Sequence, residues 1–212
     1  MKIVYPAKRW ESVKPEKVGL SSNLIKNVAA HAQSRESPIA HDFSGHGEKW
    51  GEIIGPMPKE RGAPNGLVIR NGHIAAKWGD TDRVDLAFSV TKSFLSAVVG
   101  LALDRGLIRD VHDPVKDYVD TDEFNSPHNA QITWQHLLQQ TSEWAGTLFG
   151  KHWTADSRER QSDSELEEAG EYWEYNDVRV NLLSLCLLRV WEKPLPEVLK
   201  DEVMDPIGAS DT

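Results

Sequence analysis

Two segments of the chain are apolar enough to predict buried helices. The first begins near Ser89, is apolar on most faces and is ended by Gly106. The second runs from Val178 to about Trp191, and Pro194 ends it. A helix this apolar is usually buried in the middle of a domain, so polar side chains at its start need an explanation.

The pair Asn71-Gly72 lies between two apolar runs and gives the strongest hairpin pattern in the sequence. Asn-Gly readily supplies the two positive φ angles of a type I′ turn, so residues 66–70 and 73–79 are predicted to pair as antiparallel strands. An isolated hairpin is marginal in water, so we expect it to join a larger sheet or to pack on helices. Residues 34–64 are rich in Gly, Pro and charge, which predicts a long surface loop.

Two shorter helices are predicted from their capping residues. Ser21 or Ser22 caps a helix that extends to about Ala32, and Thr133 caps a second helix that ends near Ser142. The sequence therefore predicts helices on both sides of the hairpin.

Charge and cysteine content exclude several classes of function. The formal net charge of −9 and the pI of about 5.4 argue against nucleic acid and against anionic membrane surfaces. Cys186 is the only cysteine and lies in an apolar run, so a buried, unreactive thiol is expected and an internal disulfide is not possible. No run spans a bilayer and no signal peptide is visible, which predicts a cytoplasmic protein. An exported mature form that has lost its signal is the alternative.

No metal or organic cofactor is predicted. His41, Asp42 and His46 of the 34–64 loop have no zinc-binding spacing, so solvated loop histidines are expected. The sequence has neither Gly-x-Ser-x-Gly nor a phosphate-binding loop, which disfavours α/β-hydrolases and nucleotide-binding proteins.

Ser89 and Lys92, at the start of the first apolar helix, are candidate catalytic residues. They are three residues apart, so on a helix they share one face, with Cβ atoms roughly 5–6 Å apart. Because a helix N-terminus disfavours a further cation, Lys92 is expected to lose its proton readily and to accept the proton of Ser89. Ser-x-x-Lys also arises by chance about once in such a chain, with Ser89 then a helix cap and Lys92 a surface cation.

Polar groups also stand at the start of the second apolar helix. Tyr175 is either a reactive phenol or a hydrogen-bonded phenol at the edge of the core, and Asp177 is either functional or an N-cap. The aromatic side chains nearby either line a substrate cleft or anchor a loop; they are Trp144, Phe149, Trp153 and Trp173.

Four segments, taken in order, resemble those of class C β-lactamases, penicillin-binding carboxypeptidases and β-lactamase-like esterases and amidases. Residues 88–94 resemble the Ser-x-x-Lys helix start, and residues 107–118 resemble the Gly-Leu-…-Asp-Asp-Pro-Val-…-Tyr segment that follows it. Residues 132–142 are similar to the segment Ile-Thr-…-His-Leu-Leu-…-Thr-Ser, and residues 175–177 fall where the family carries Tyr-x-Asn. The resemblance covers roughly residues 64–212.

The resemblance implies an α/β (α+β) fold of the β-lactamase/transpeptidase type, with a helical region packed on an antiparallel sheet. In this chain it implies a lead-in and loop over residues 1–63, a sheet hairpin over 64–80 and a helical region over 81–212. Most C-terminal strands of the sheet would be missing, because the family's third motif, Lys-Thr-Gly or His-x-Gly, would lie beyond Thr212. The chain is then the N-terminal portion of a single domain. A C-terminal half of the same protein or a second chain would complete the sheet and supply the second oxyanion donor.

The activity implied by the resemblance is that of a serine hydrolase acting through an acyl-serine on a small-molecule ester, amide or β-lactam. Ser89, Lys92 and Tyr175 would be catalytic, and Asp177 would orient Lys92 and the substrate. Trp144, from the aromatic side chains named above, is expected to help orient the substrate. Asp177 departs from the family's Asn, and its carboxylate would raise the pKa of Lys92 and shift proton transfer towards Tyr175. The alternatives are a non-catalytic ligand-binding or interaction module on the same fold, or an inactive fragment that needs its C-terminal half.

Overall fold

The computed structural model describes residues 3–6, 9–43, 45, 58–157 and 159–209, which divide into two compact units. The first unit extends to Phe88, and the second runs from Ser89 to Ala209. Much of the predicted loop over 34–64, including His46, lies outside the described residues.

The first unit contains the predicted hairpin, made of strands β1 (Gly66–Arg70) and β2 (His73–Trp78) in antiparallel register. Asn71 has φ 54° and Gly72 has φ 81°, so the predicted pair of positive φ angles at this turn is confirmed. Their left-handed backbone matches the twist of the two strands, which is why Asn-Gly closes the hairpin in two residues.

One further segment of the first unit pairs with β2. The Ile74 N–H donates to the Glu11 carbonyl over 2.9 Å, and the Val13 N–H donates to the Ile74 carbonyl over 2.9 Å. The helix α1 (Ser22–Ser34) lies between this segment and the hairpin in the sequence. Its N-cap is Ser21, as predicted.

The second unit is mainly helical. Its helices are α2 (Thr91–Asp104), α3 (Trp134–Gln139), α4 (Asp177–Trp191) and α5 (Leu195–Leu199), the last of which continues into a π-helical turn (Lys200–Met204). Strands β3 (Thr147–Leu148) and β4 (Lys151–His152) form a small hairpin between α3 and α4. Three 3₁₀ turns connect α2 to α3, at Val115–Asp117, Asp122–Phe124 and Asn129–Gln131.

The core of the second unit is centred on α4, which contacts α2, α3 and α5. Fully buried side chains from α4 include Leu182 and Leu187, which pack in one cluster with Val98 and Val99 of α2. The prediction that α2 is a buried helix holds for one face only: Leu95, Val98, Val99 and Ala102 are buried, whereas Ser96 and Ala97 are exposed. Among the described residues, none therefore covers this second side of α2.

The start of α3 is fixed by a reciprocal cap. The Thr133 hydroxyl accepts the His136 N–H over 3.2 Å, and the His136 ring nitrogen accepts the Thr133 N–H over 3.3 Å. The predicted cap is confirmed, although the helix ends at Gln139. Within the described ranges, every helix is too short or too polar to span a bilayer.

Candidate active site

Ser89 lies in a 3₁₀ turn (Phe88–Val90) directly before α2. The N-cap of α2 is Val90, so the interpretation of Ser89 as a simple helix cap is wrong. Phe88 has φ 44°, a left-handed conformation that is uncommon for a residue with a side chain. Ser89 is itself exposed.

Four of the residues predicted from the sequence converge around the Ser89 hydroxyl. Ser89 Oγ is 2.6 Å from Tyr175 Oη and accepts a hydrogen bond from Lys92 Nζ over 3.2 Å. Lys92 Nζ is also 2.7 Å from Asp177 Oδ1 and 4.9 Å from the centre of the Tyr175 ring. A hydroxyl, a phenol and an ammonium thus meet at the starts of α2 and α4, and a carboxylate contacts the ammonium.

Lys92 is held in its charged form. Burial by itself lowers the pKa of this lysine, but its hydrogen bonds to Asp177 and Tyr175 and the negative charge of Asp177 outweigh burial and raise it. The expectation that the helix N-terminus makes Lys92 a ready proton acceptor is therefore wrong. The opposite effect, expected from the carboxylate of Asp177, prevails because this carboxylate is in direct contact with the ammonium.

Asn176 orients the segment that carries Tyr175. It is fully buried and is the N-cap of α4: its side-chain oxygen accepts the Arg179 N–H over 3.2 Å. Its Nδ2 donates to the Trp153 carbonyl over 2.7 Å. Asp177 is the first residue of the helix, so the interpretation of Asp177 as an N-cap is wrong. An Asn directly before an apolar helix is a capping pattern that could have identified Asn176 from the sequence.

Gln140 ties the same segment to the end of α3. Its side-chain oxygen accepts the Asn176 N–H over 2.9 Å, and its carbonyl accepts the Glu174 N–H over 3.1 Å. These bonds fix the backbone on both sides of Tyr175. A small, partly open pocket of about 40 Å³ lies next to Gln140 and Lys92. It is otherwise lined by Leu95, Ser96, Leu137, Leu138, Val180 and Leu183.

Trp144 is not part of this arrangement. Its side chain is 1% exposed and its indole N–H donates to the Glu123 carbonyl over 2.8 Å, so it belongs to the core and cannot line an open cleft. Trp153 is buried as well, whereas Phe149 and Trp173 are exposed.

Two other features of the described residues bear on the chemistry. They contain no group of three or more His, Cys, Asp or Glu side chains that could hold a metal ion. Cys186 is buried in α4, as predicted, and burial raises the pKa of its thiol to about 12, which makes it a poor nucleophile.

Comparison with known proteins gives a family match and similarities to solved structures. The β-lactamase family model matches residues 52–212, which is more than half of the chain. The solved structure of the octameric penicillin-binding protein homologue from Pyrococcus abyssi is similar at 22% sequence identity with a TM-score of 0.43. That match covers 57% of this chain and 30% of the other. No curated protein matches the chain significantly.

Proposed function

The chain belongs to the β-lactamase family, whose members are generally serine hydrolases, and we propose that it transfers an acyl group to Ser89 from an ester, amide or β-lactam. The family and the β-lactamase-like fold predicted from the sequence are confirmed by this membership. The acyl-enzyme chemistry and the roles of individual residues are our proposals.

One observation supports the proposal above all others: Ser89 Oγ lies 2.6 Å from the oxygen of Tyr175 and 3.2 Å from Lys92 Nζ. A nucleophile within hydrogen-bond distance of a group that can take its proton is the arrangement that nucleophilic catalysis requires. The exposure of Ser89 leaves room for a carbonyl carbon to approach the same oxygen.

In the proposed reaction, Tyr175 acts as the base in its phenolate form. As Ser89 Oγ bonds to the substrate carbonyl carbon, its proton passes to Tyr175 Oη, and the carbonyl π electrons move to the carbonyl oxygen to form an oxyanion. Tyr175 then gives the proton to the leaving group as the scissile bond breaks. Water, deprotonated by Tyr175 in turn, then bonds to the acyl carbon. As the bond from this carbon to Ser89 Oγ breaks, Tyr175 returns the proton to Ser89 Oγ and the carboxylic acid product leaves.

Lys92 and Asp177 support this transfer electrostatically. Lys92 is an ammonium next to both reacting oxygens, and Asp177 keeps it charged. The Ser89 N–H lies in the turn that opens α2, where the helix dipole favours negative charge, and we propose it as one oxyanion donor.

The proposal is tested by covalent labelling of the purified protein with a fluorophosphonate and a fluorescent penicillin. Labelling by either probe that is lost in Ser89→Ala, with the label located at Ser89 by mass spectrometry, supports the hydrolase. Ser93→Ala is the matched control, since Ser93 is exposed in the first turn of α2, four residues after Ser89. A folded protein that binds β-lactams or esters without Ser89-dependent labelling or turnover is instead a ligand-binding module.

We further propose that another strand pairs with β1. Its side chains Leu67 and Ile69 are 45% and 46% exposed, and β2 is the only strand paired with it within the described residues. Exposed apolar side chains on an unpaired edge favour association. The strand would come from a C-terminal half or a second chain. If the 212-residue chain alone is a stable monomer with full turnover, this proposal is wrong.

A further inference from the structure

A group of charged and polar side chains is buried beneath Tyr175. This buried cluster consists of Glu143, Glu174, Asn176 and Arg179, each less than a tenth exposed. Arg179 lies 3.0 Å from a carboxylate oxygen of Glu143 and 3.5 Å from one of Glu174. Asn176 Nδ2 donates to the same Glu174 oxygen over 3.3 Å. The cluster lies in the second unit, among the aromatic and aliphatic side chains of its core.

Stability alone is a poor explanation for this cluster. The desolvation of buried charges offsets most of their attraction, and apolar residues of similar volume are often as stabilising or more so. Glu143 carries a second cost, because its φ is 48°, a left-handed conformation in which an ordinary side chain is disfavoured. Glu143 is nevertheless held firmly: Arg160 pairs with its second oxygen, which also accepts the Glu167 N–H over 3.1 Å.

The cluster is connected to the active site through the residues on either side of Tyr175. Asn176 has an extended backbone (φ −142°, ψ 111°), so neighbouring side chains point in opposite directions. Glu174 and Asn176 are buried in the cluster, whereas Tyr175 is 44% exposed. The direction of the Tyr175 side chain therefore follows from how its two neighbours are held.

We propose that the ion pair Glu143–Arg179 is a positioning device that holds Tyr175 Oη within hydrogen-bond distance of Ser89 Oγ. Neither residue touches the reacting atoms. Arg179 acts through its contact with Glu174 and through its backbone N–H, which binds the side chain of Asn176. Glu143 fixes Arg179. The kinetic part of this inference rests on the proposed acyl transfer.

The test replaces the pair by neutral side chains of similar length, in the double variant Glu143→Gln/Arg179→Met. Each single change would leave the buried cluster with an uncompensated charge. The double change removes one carboxylate and one guanidinium together, so Glu174 and Arg160, which lose these partners, still carry opposite charges. Its folding and melting temperature are expected to stay close to those of the wild type. Its kcat is expected to fall about 10²-fold with little change in KM, because a misplacement of about 1 Å at a reacting group has this effect. The matched control is Val198→Ala, a core change in α5 outside the cluster, which is expected to lower stability and leave kcat unchanged.

A crystal structure of the double variant gives a readout that does not depend on activity. We expect the separation of Ser89 Oγ and Tyr175 Oη to exceed the 2.6 Å of the wild type. A double variant with wild-type kcat and an unchanged separation overturns the inference while leaving the proposed hydrolase intact. If the wild type shows no Ser89-dependent labelling, the hydrolase proposal fails, and the oxygen separation alone decides the positioning role.

A second variant covers the case in which the double variant does not fold. Glu174→Gln keeps the side-chain volume and the contact with Asn176 but removes a charge next to Arg179. Its kcat is expected to fall about tenfold through a smaller displacement of Tyr175. An unchanged kcat in a folded Glu174→Gln protein likewise overturns the inference.

Discussion

Replacing Asp177 by Asn tests how the charge of Lys92 is maintained. Asp177 Oδ1 lies 2.7 Å from Lys92 Nζ, and Asn occupies nearly the same volume without the negative charge. The carboxylate raises the pKa of Lys92 against the effect of burial. The substitution should therefore lower this pKa and leave the reach and shape of the side chain almost unchanged.

The size of the effect follows from the separation of the two charges. At 2.7 Å, Coulomb's law gives about 1.5 kcal/mol in the dielectric of water and several times more in a protein interior. The lower figure applies because the side chains of Lys92 and Asp177 are 25% and 38% exposed, so solvent screens the pair. An energy of about 1.5 kcal/mol is about a tenfold change in the ratio of ammonium to amine at a given pH.

The sign of the pH effect is fixed by the charge on Lys92. The ammonium is present below its pKa and is lost as the pH rises through it, so activity that needs the ammonium falls on the alkaline side. In Asp177→Asn this fall should begin at lower pH than in the wild type. Near neutral pH, where Lys92 stays charged, the rate should change by less than about tenfold.

The assay is the second-order rate of fluorophosphonate labelling at Ser89, measured across pH for both proteins. Asp163→Asn is the control, because Asp163 is an exposed carboxylate that does not contact Lys92. An alkaline limb that is unchanged in Asp177→Asn, or displaced to higher pH, would refute the reasoning. An equal displacement in Asp163→Asn would show that the effect comes from net charge and not from contact with Lys92.

Three further predictions follow from the structure. Tyr175→Phe should lower kcat/KM by about 10²-fold or more, because the proposed proton acceptor is lost, whereas the control Tyr172→Phe should retain activity. Full activity in Tyr175→Phe would show that the phenol takes no part in the mechanism. Asn176→Ala should lower the free energy of unfolding, measured by chemical denaturation, by about 2–4 kcal/mol, because it removes an N-cap and leaves a buried carbonyl unpaired. Thr133→Ala should lower it by about 1 kcal/mol, and equal losses in the two variants would contradict this prediction. Cys186 should react with a thiol reagent only after unfolding, because it is buried and burial raises the pKa of its thiol to about 12. Rapid labelling of the native protein would contradict its burial.

Local patterns in the sequence predicted the parts of the fold that depend on neighbouring residues. Asn71-Gly72 predicted its turn because the positive φ angles are a property of those two residues. Ser89 and Lys92 were paired by helical spacing, and their side chains do meet. Tyr175 is 86 residues from Ser89, and no local rule connects the two; only the resemblance to a family with ordered motifs predicted that they belong together.

The buried cluster could not be predicted in the same way. Glu143 and Glu174 flank a polar, weakly patterned stretch, for which solvent exposure is the usual outcome for charged residues. Their burial depends on Arg179, which the packing of α4 brings within 3.0 Å of Glu143. The prediction that Trp144 helps to orient a substrate fails for a related reason. An aromatic side chain in a loop is equally consistent with a cleft and with a core, and Trp144 is buried in the core.

The ion pair between Lys92 and Asp177 bears directly on which group would remove the proton from Ser89 in the proposed acyl transfer. A partly exposed ion pair contributes little to stability, so folding gives no strong reason for a carboxylate at position 177. In a mechanism with neutral Lys92 as the base, Asp177 would be a hindrance, because it stabilises the ammonium. In a mechanism with Tyr175 as the base, the same ammonium is useful, because its positive charge lies beside the oxygen that receives the proton. The carboxylate of Asp177 therefore favours Tyr175 as the base for whichever acyl group is transferred.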